Sequence, residues 1–155
     1  MAYQFQHSVE VGVSQEAAWR FWTNVENWTL DVAIEWVKLD GFFQAGVQGT
    51  TKTRGADLVQ WEIAEVSEGE SAVIEIPMPE AAARFVWKFE ELAEEGTRLT
   101  QQITLSGEQV DMYVAQMGEG FEQGVRQGME KLSKEMERPA RLKRSVRHFQ
   151  YVYAI

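Results

Sequence analysis

Two polar side chains stand out because the sequence places them among apolar residues of predicted strands. His7 lies on the apolar face of "YQFQHSVEV" (3–11), and Gln101 has apolar residues two positions away on either side in "TRLTQQITLSG" (97–107). An imidazole can act as a general base or hydrogen-bond a ligand carbonyl. A half-buried amide needs a hydrogen-bond partner, which a ligand or a neighbouring side chain could supply. His7 and Gln101 are therefore the candidate catalytic residues, and a purely structural role remains the alternative for each.

Other kinds of chemistry lack the residues they need. The chain has no cysteine and only two histidines, which lie far apart in sequence, so it offers no thiol nucleophile, no disulfide and no metal-ligand spacing. Neither a glycine-rich phosphate loop nor a nucleophile elbow occurs. We expect no metal and no cofactor. An enzyme built on this chain would have to act through shape and acid–base assistance.

The charge is unevenly distributed along the chain. Residues 1–137 contain all 24 acidic residues and 10 of the 15 Lys and Arg, a formal charge of −14, whereas residues 138–155 contain five cations and no acid. An acidic body argues against nucleic acid as the main partner, because binding to a phosphate backbone relies on a basic face. The apolar runs are short, so we expect neither a signal peptide nor a membrane span, and we expect a cytoplasmic protein.

Hydrophobic periodicity predicts one α+β domain over residues 1–137. Strand 3–11 ends at Gly12, and Ser14 is a credible N-cap for the helix "QEAAWRFWTN", which a short helical turn around "VENWTLDV" follows. Six further strands separated by turn residues form an antiparallel meander. They read "AIEWVKLDG", "VQGTTKTRG", "LVQWEIAEV", "SAVIEIPM", "ARFVWKFEEL" and "TRLTQQITLSG". One helix over 109–137 completes the order β-α-α-β6-α.

Four glycines interrupt the helical stretch "MGEGFEQGVRQGMEKL" (117–132). With Phe121 taken as the centre of the buried stripe, Gly124 and Gly128 fall inside that stripe at about 100° per residue. The missing side chains could let another backbone approach closely, most simply the helix that carries Trp19 and Trp22. They could instead leave open volume for a small molecule, and a kink near residues 118–120 is a third reading.

A set of short motifs resembles a known superfamily. Gly12-Val13-Ser14 with Ala18-Trp19, then Trp28, then Leu39-Asp40-Gly41, the pair Gly46 and Gly49, "GTRLT" (96–100) and "LSG" (105–107) occur in this order. Together with the long C-terminal helix, they are similar to the START-like (helix-grip, SRPBCC) superfamily, in its polyketide cyclase/dehydrase-like branch. The resemblance covers residues 3–137.

This resemblance implies a seven-stranded antiparallel sheet wrapped around the long C-terminal helix, with an apolar cavity between them for a small hydrophobic molecule. Alternation along the strands nominates the inward side chains, with the faces of Trp36 and Trp61 open to reversal by a single bulge. A core role is the alternative for each tryptophan. The predicted ligand-binding residues are Phe5, His7, Trp36, Trp61, Ile74, Ile76, Phe85, Trp87, Gln101, Ile103, Met117, Phe121, Gly124, Val125 and Gly128.

Three functions are compatible with these observations. The first is binding or transport of a small hydrophobic ligand, and the second is a cyclase, aromatase or dehydratase acting on a polyketide-type or aromatic substrate. The third is a protein-interaction module that uses residues 138–155, which could make a homodimer or bind another protein. That basic, aromatic segment could equally be a last strand or arm, or sequence added for expression.

Overall fold

The sheet is built from seven antiparallel strands. The computed structural model describes residues 2–153, with side chains up to residue 138. Within that range the strands follow one another across the sheet in the order β1-β7-β6-β5-β4-β3-β2, so the first strand pairs with the last. Their bounds are β1 Tyr3–Val11, β2 Ile34–Leu39, β3 Gln48–Thr53, β4 Leu58–Ser67, β5 Ser71–Met78, β6 Ala81–Glu91 and β7 Thr97–Gly107. The predicted helix-grip arrangement is confirmed.

The helices lie before and after the meander. They are α1 Gln15–Thr23, a 3₁₀ helix Val25–Leu30, a 3₁₀ turn Ala93–Glu95, α2 Val110–Met117 and α3 Gly120–Tyr153. The predicted N-cap of α1 is confirmed, because the Ser14 hydroxyl accepts a hydrogen bond of 3.1 Å from the Ala17 amide. α3 packs along β1 and against the 3₁₀ helix Val25–Leu30.

The prediction of one uninterrupted helix over 109–137 is wrong at two places. Gly118 has φ +72°, which ends α2 and separates it from α3, so the alternative of a break near residues 118–120 is correct. The helical backbone also continues past the predicted end at residue 137, as far as Tyr153. The predictions for the side chains of the basic, aromatic segment lie outside the described residues, which end at 138 for side chains.

α3 is rotated relative to the predicted orientation. Among the residues of α3 whose side chains are described, the buried ones are Met129, Ser133 and Met136, and Met129 lies about 80° around the helix from the predicted centre Phe121. Gly124 is consequently exposed, and a Cβ built there meets no atom within 4 Å. The prediction that Gly124 lies in the buried stripe is therefore wrong.

Gly128 lies at the edge of the buried stripe, where the segment between the first 3₁₀ helix and β2 approaches α3. A Cβ at this position would stand 3.2 Å from Oδ2 of Asp31, the residue that follows the first 3₁₀ helix. The close-approach reading fits Gly128, although the approaching group is the Asp31 carboxylate rather than the α1 backbone. In this way the glycine lets α3 pack close to the segment between the 3₁₀ helix and β2.

An aromatic cluster fills the end of the interior beneath α1. Trp22 is 1 % exposed and contacts five other rings, with centroid distances of 5.1 Å to Trp87 and 5.2 Å to Phe43. Trp28 extends the cluster to Trp61 at 5.2 Å. These rings hold α1 and the first 3₁₀ helix on the sheet, and the core role is the one that the structure gives them.

Trp36 and Trp61, whose inward or outward direction the sequence left open, lie on opposite faces of the sheet. Trp61 is buried over Gly49 and donates its Nε1–H to Thr51 Oγ1 at 2.9 Å. Trp36 is 43 % exposed on the outer face, so its predicted inward direction is wrong. The reason is a register shift between Ile34 and Trp36, which turns Trp36 outward.

Candidate functional site

Most of the predicted ligand-binding residues lie on the sheet face that α3 covers or on α3 itself. Phe5, Trp61, Ile74, Trp87 and Ile103 are buried. His7, Ile76, Phe85 and Gln101 on the strands, and Met117, Phe121, Val125 and Gly128 near or on α3, are half-buried. Trp36 and Gly124 are the two that the structure places elsewhere.

Partial exposure of central-strand residues marks an opening between the sheet and α3. Phe85 and Gln101 lie on β6 and β7, and each is paired with a residue of a neighbouring strand on both sides. Their side chains nevertheless remain half-buried. Because a central strand is not accessible from a sheet edge, the access must come from the covered face. We call the space lined by His7, Ile76, Phe85, Gln101, Phe121 and Val125 the inner groove.

His7 and Gln101 are directly opposite each other in the sheet. The β1–β7 register pairs His7 with Gln101, and the β6–β7 register pairs Gln101 with Trp87. His7 Nε2 is shielded from solvent and has no hydrogen-bond partner among the described residues. The structure thus brings the two candidate catalytic residues together on one face, beside a buried indole.

A tyrosine that the sequence analysis did not select lies next to the inner groove. Tyr3 precedes Phe5 and His7 on the same face of β1, and its hydroxyl donates a 2.7 Å hydrogen bond to Glu122 Oε2 of α3. Burial, followed by this hydrogen bond and the Glu122 charge, raises the pKa of Tyr3 to about 12. The interaction fastens the first turns of α3 to the sheet edge. Alternation along β1 was the available sign that Tyr3 faces inward.

Arg126 lies one turn after Glu122 and covers the next residue of β1. Its guanidinium carbon is 5.0 Å from the centroid of the Phe5 ring, a cation–π geometry. Both Glu122 and Arg126 are half-buried. A helical wheel centred on Phe121 would place both on the solvent side, and they contact β1 instead because α3 is rotated, as the exposure of Gly124 also shows.

Two surface depressions lie elsewhere, on either side of Phe43. One, of about 410 Å³, is lined by Val25, Val37 and Leu39 among others, and the second, of about 500 Å³, by Trp19 and Val66 among others. None of the predicted ligand-binding residues lines either depression. They are therefore separate from the inner groove.

Two further kinds of site are absent from the part of the chain that the structure describes. It contains no group of three or more His, Asp or Glu side chains that could hold a metal ion. Over the same residues, no helix is both long enough and apolar enough to span a bilayer.

Comparison with known proteins agrees with this architecture. The family described as "Polyketide cyclase / dehydrase and lipid transport" matches residues 2–137, and the chain belongs to that family. No curated protein sequence matches the chain. The family description joins cyclase-like reactions with the transport of hydrophobic molecules, which is the pair of functions that the resemblance implied.

Solved structures show the same fold at low sequence identity. The Zhui aromatase/cyclase from Streptomyces sp. R1128 superposes with a TM-score of 0.74 at 12 % identity, over 90 % of this chain and 96 % of that one. Norcoclaurine synthase from Thalictrum flavum, in complex with a transition-state analogue, gives 0.71 at 10 % identity, over 90 % and 97 %. Protein NE0264 from Nitrosomonas europaea gives 0.69 at 15 % identity, over 90 % and 96 %. At these identities the likeness concerns the fold alone.

Proposed function

We propose that the protein binds a small hydrophobic molecule in the inner groove. The observation that carries this proposal is the partial exposure of Phe85 and Gln101, which are flanked by strands on both sides, on the sheet face that α3 covers. Apolar surface kept open in a concave site is the usual basis of small-molecule binding. Membership of a family whose description includes lipid transport supports the same function.

One end of the interior is packed with aromatic side chains, and we expect the ligand at the other end. The aromatic cluster around Trp22 fills the interior at the end beneath α1 with closely packed rings. The inner groove lies at the other end, towards α2 and the first turns of α3, where Met117 and Phe121 are half-buried. The expected ligand is therefore shorter than the full length of the sheet.

A fluorescent titration tests the proposal. N-phenyl-1-naphthylamine is neutral and apolar, and we expect saturable binding with increased emission. The Val125→Phe substitution adds a ring on the groove side of α3 and should weaken binding by about tenfold or more. Gln123→Phe makes the same addition on an exposed position of the same helix and should leave the affinity unchanged. Absence of saturable binding, or equal weakening by both variants, would refute the proposal.

A cyclase or dehydratase activity is the second candidate. It is favoured by one observation, the unpartnered Nε2 of His7 at the groove, since an imidazole beside a bound substrate can transfer protons. The reaction would proceed without a covalent nucleophile. If a substrate of the polyketide or aromatic type is turned over, His7→Ala should reduce kcat, and full turnover in that variant would remove His7 from the reaction.

A further inference from the structure

Among the described residues, the buried polar atoms of the side chains are hydrogen-bonded, with one exception. Thr97 donates to the Val13 carbonyl at 2.8 Å, and Trp28 donates to the Trp22 carbonyl at 2.8 Å. Thr51 accepts from Trp61 at 2.9 Å. Native proteins pair nearly all buried polar groups, so an unpaired one requires an explanation. His7 Nε2 is such a group among the described residues.

Gln101 is the residue opposite His7, and its amide also has no hydrogen bond to any described residue. Apolar side chains lie around these two residues on the inner face, including Trp87 and Phe85. His7 Nε2 itself has almost no accessible surface, although the residue as a whole is half-buried. A ligand group in the groove therefore meets this nitrogen when the imidazole ring turns towards the groove.

The hydrogen-bonding capacity of the pair defines the group that fits it. An imidazole nitrogen accepts or donates according to its tautomer, and a primary amide does both. A hydroxyl group, with one donor and two acceptor positions, can satisfy His7 and Gln101 together in either tautomer. A methyl or an ether oxygen cannot donate and leaves at least one of the two groups unpaired whenever Nε2 is an acceptor.

We propose that the ligand of the inner groove is an apolar molecule bearing a hydroxyl group, which His7 and Gln101 bind together. This inference rests on the proposed function, because it names the chemical class of ligand for the same groove. His7 and Gln101 determine specificity for the hydroxyl, while Phe85 and the neighbouring apolar side chains contribute the remaining contact.

The test compares two compounds of nearly equal size. 2-Naphthol carries the hydroxyl and 2-methylnaphthalene carries a methyl in its place, and isothermal titration calorimetry measures each dissociation constant. Two hydrogen bonds are expected to favour 2-naphthol by about tenfold. His7→Leu and Gln101→Leu should each remove most of this preference while 2-methylnaphthalene still binds. His7→Gln, which retains hydrogen-bonding capacity, should recover part of it.

Matched controls come from the opposite face of the same strands. Gln102→Leu and Gln6→Leu alter outer-face residues that pair with each other in the sheet, and both should keep the wild-type preference. A variant that fails to fold is recognised by its circular dichroism spectrum, and the remaining one of His7→Leu and Gln101→Leu then decides the question.

The outcomes separate the two proposals. If both compounds bind but the preference is absent, or persists in His7→Leu and Gln101→Leu, the hydroxyl assignment is overturned and ligand binding stands. Tighter binding of 2-naphthoate than of 2-naphthol, retained in both variants, also overturns it, since an anion would then be bound by another group. If neither compound binds saturably, the proposed function fails and this inference fails with it.

Discussion

Replacing Gly124 by alanine tests the orientation of α3. Gly124 is exposed, it lies in the interior of α3, and a Cβ there meets nothing within 4 Å. The added methyl encounters no steric cost, so the full helix-propensity gain of about 1 kcal/mol should appear in the free energy of unfolding. For a chain of this length, that gain corresponds to an increase of roughly 2–4 °C in Tm.

Gly128→Ala is the contrasting change one turn further along the helix. The same propensity gain applies, but the new Cβ would lie 3.2 Å from Asp31 Oδ2, closer than ordinary van der Waals contact. The carboxylate must shift by a few tenths of an ångström, which strains the hydrogen bond of 2.9 Å that Asp31 Oδ1 accepts from the Ala33 amide. We expect Gly128→Ala to gain less than about half of the propensity term.

Urea denaturation of five proteins measures these effects: wild type, Gly124→Ala, Gly128→Ala, Asp31→Ala and the double variant of Gly128→Ala with Asp31→Ala. If the Asp31 carboxylate limits the gain, Gly128→Ala should stabilise the Asp31→Ala background by about 1 kcal/mol and the wild-type background by less.

Gly124→Ala should leave ligand affinity unchanged. A loss of affinity in Gly124→Ala, or destabilisation by it, would show that Gly124 faces the interior and that the orientation of α3 is wrong.

Three other predictions follow from single contacts. In Gly49→Ala the new Cβ would overlap the Trp61 ring, so the ring has to move. We expect the free energy of unfolding, measured by urea denaturation, to fall by about 1–3 kcal/mol. Gly107→Ala combines φ +118° with a Cβ 2.6 Å from the β6 backbone at Ala81, and its Tm should fall by several degrees, roughly as expected for a loss of 1–3 kcal/mol. A Tm within error of wild type for either variant would contradict the packing described. The folded pKa of Tyr3, about 12, lies above the usual 10, so its contribution to stability is complete below pH 10 and is lost as the pH rises towards 12. The urea midpoint of the wild type should therefore fall more steeply between pH 9 and 12 than that of Tyr3→Phe. If the midpoints of the two proteins fall in parallel with pH, the raised pKa of Tyr3 is refuted.

The strands could be predicted because their information is local. Alternation in 3–11 and the turn residues between later segments gave strands whose bounds the structure reproduces within a few residues. Neighbouring strands also bring charged side chains together: Arg84 of β6 meets Glu75 of β5 at 2.6 Å and Glu65 of β4 at 2.8 Å. These groups are exposed, so the ion pairs contribute little to stability.

The candidate site was predictable only in part. Alternation placed His7 and Gln101 on an inward face, and the register then set them opposite each other. Trp36 could not be assigned because one register shift in β2 reverses the face of every later residue. Glu122 and Arg126 were missed because a helical wheel gives the angles between side chains but not the side that packs on the sheet.

The sequence by itself determined the order of the strands and helices, their periodicity and the family to which the chain belongs, because these depend on residues close together along the chain. Only the tertiary structure decided which side of α3 faces the sheet and that aromatic rings fill the end beneath α1 while the inner groove stays open. The physical reason is packing. The rotation of a helix and the filling of a core depend on the combined shapes of residues that are distant in sequence.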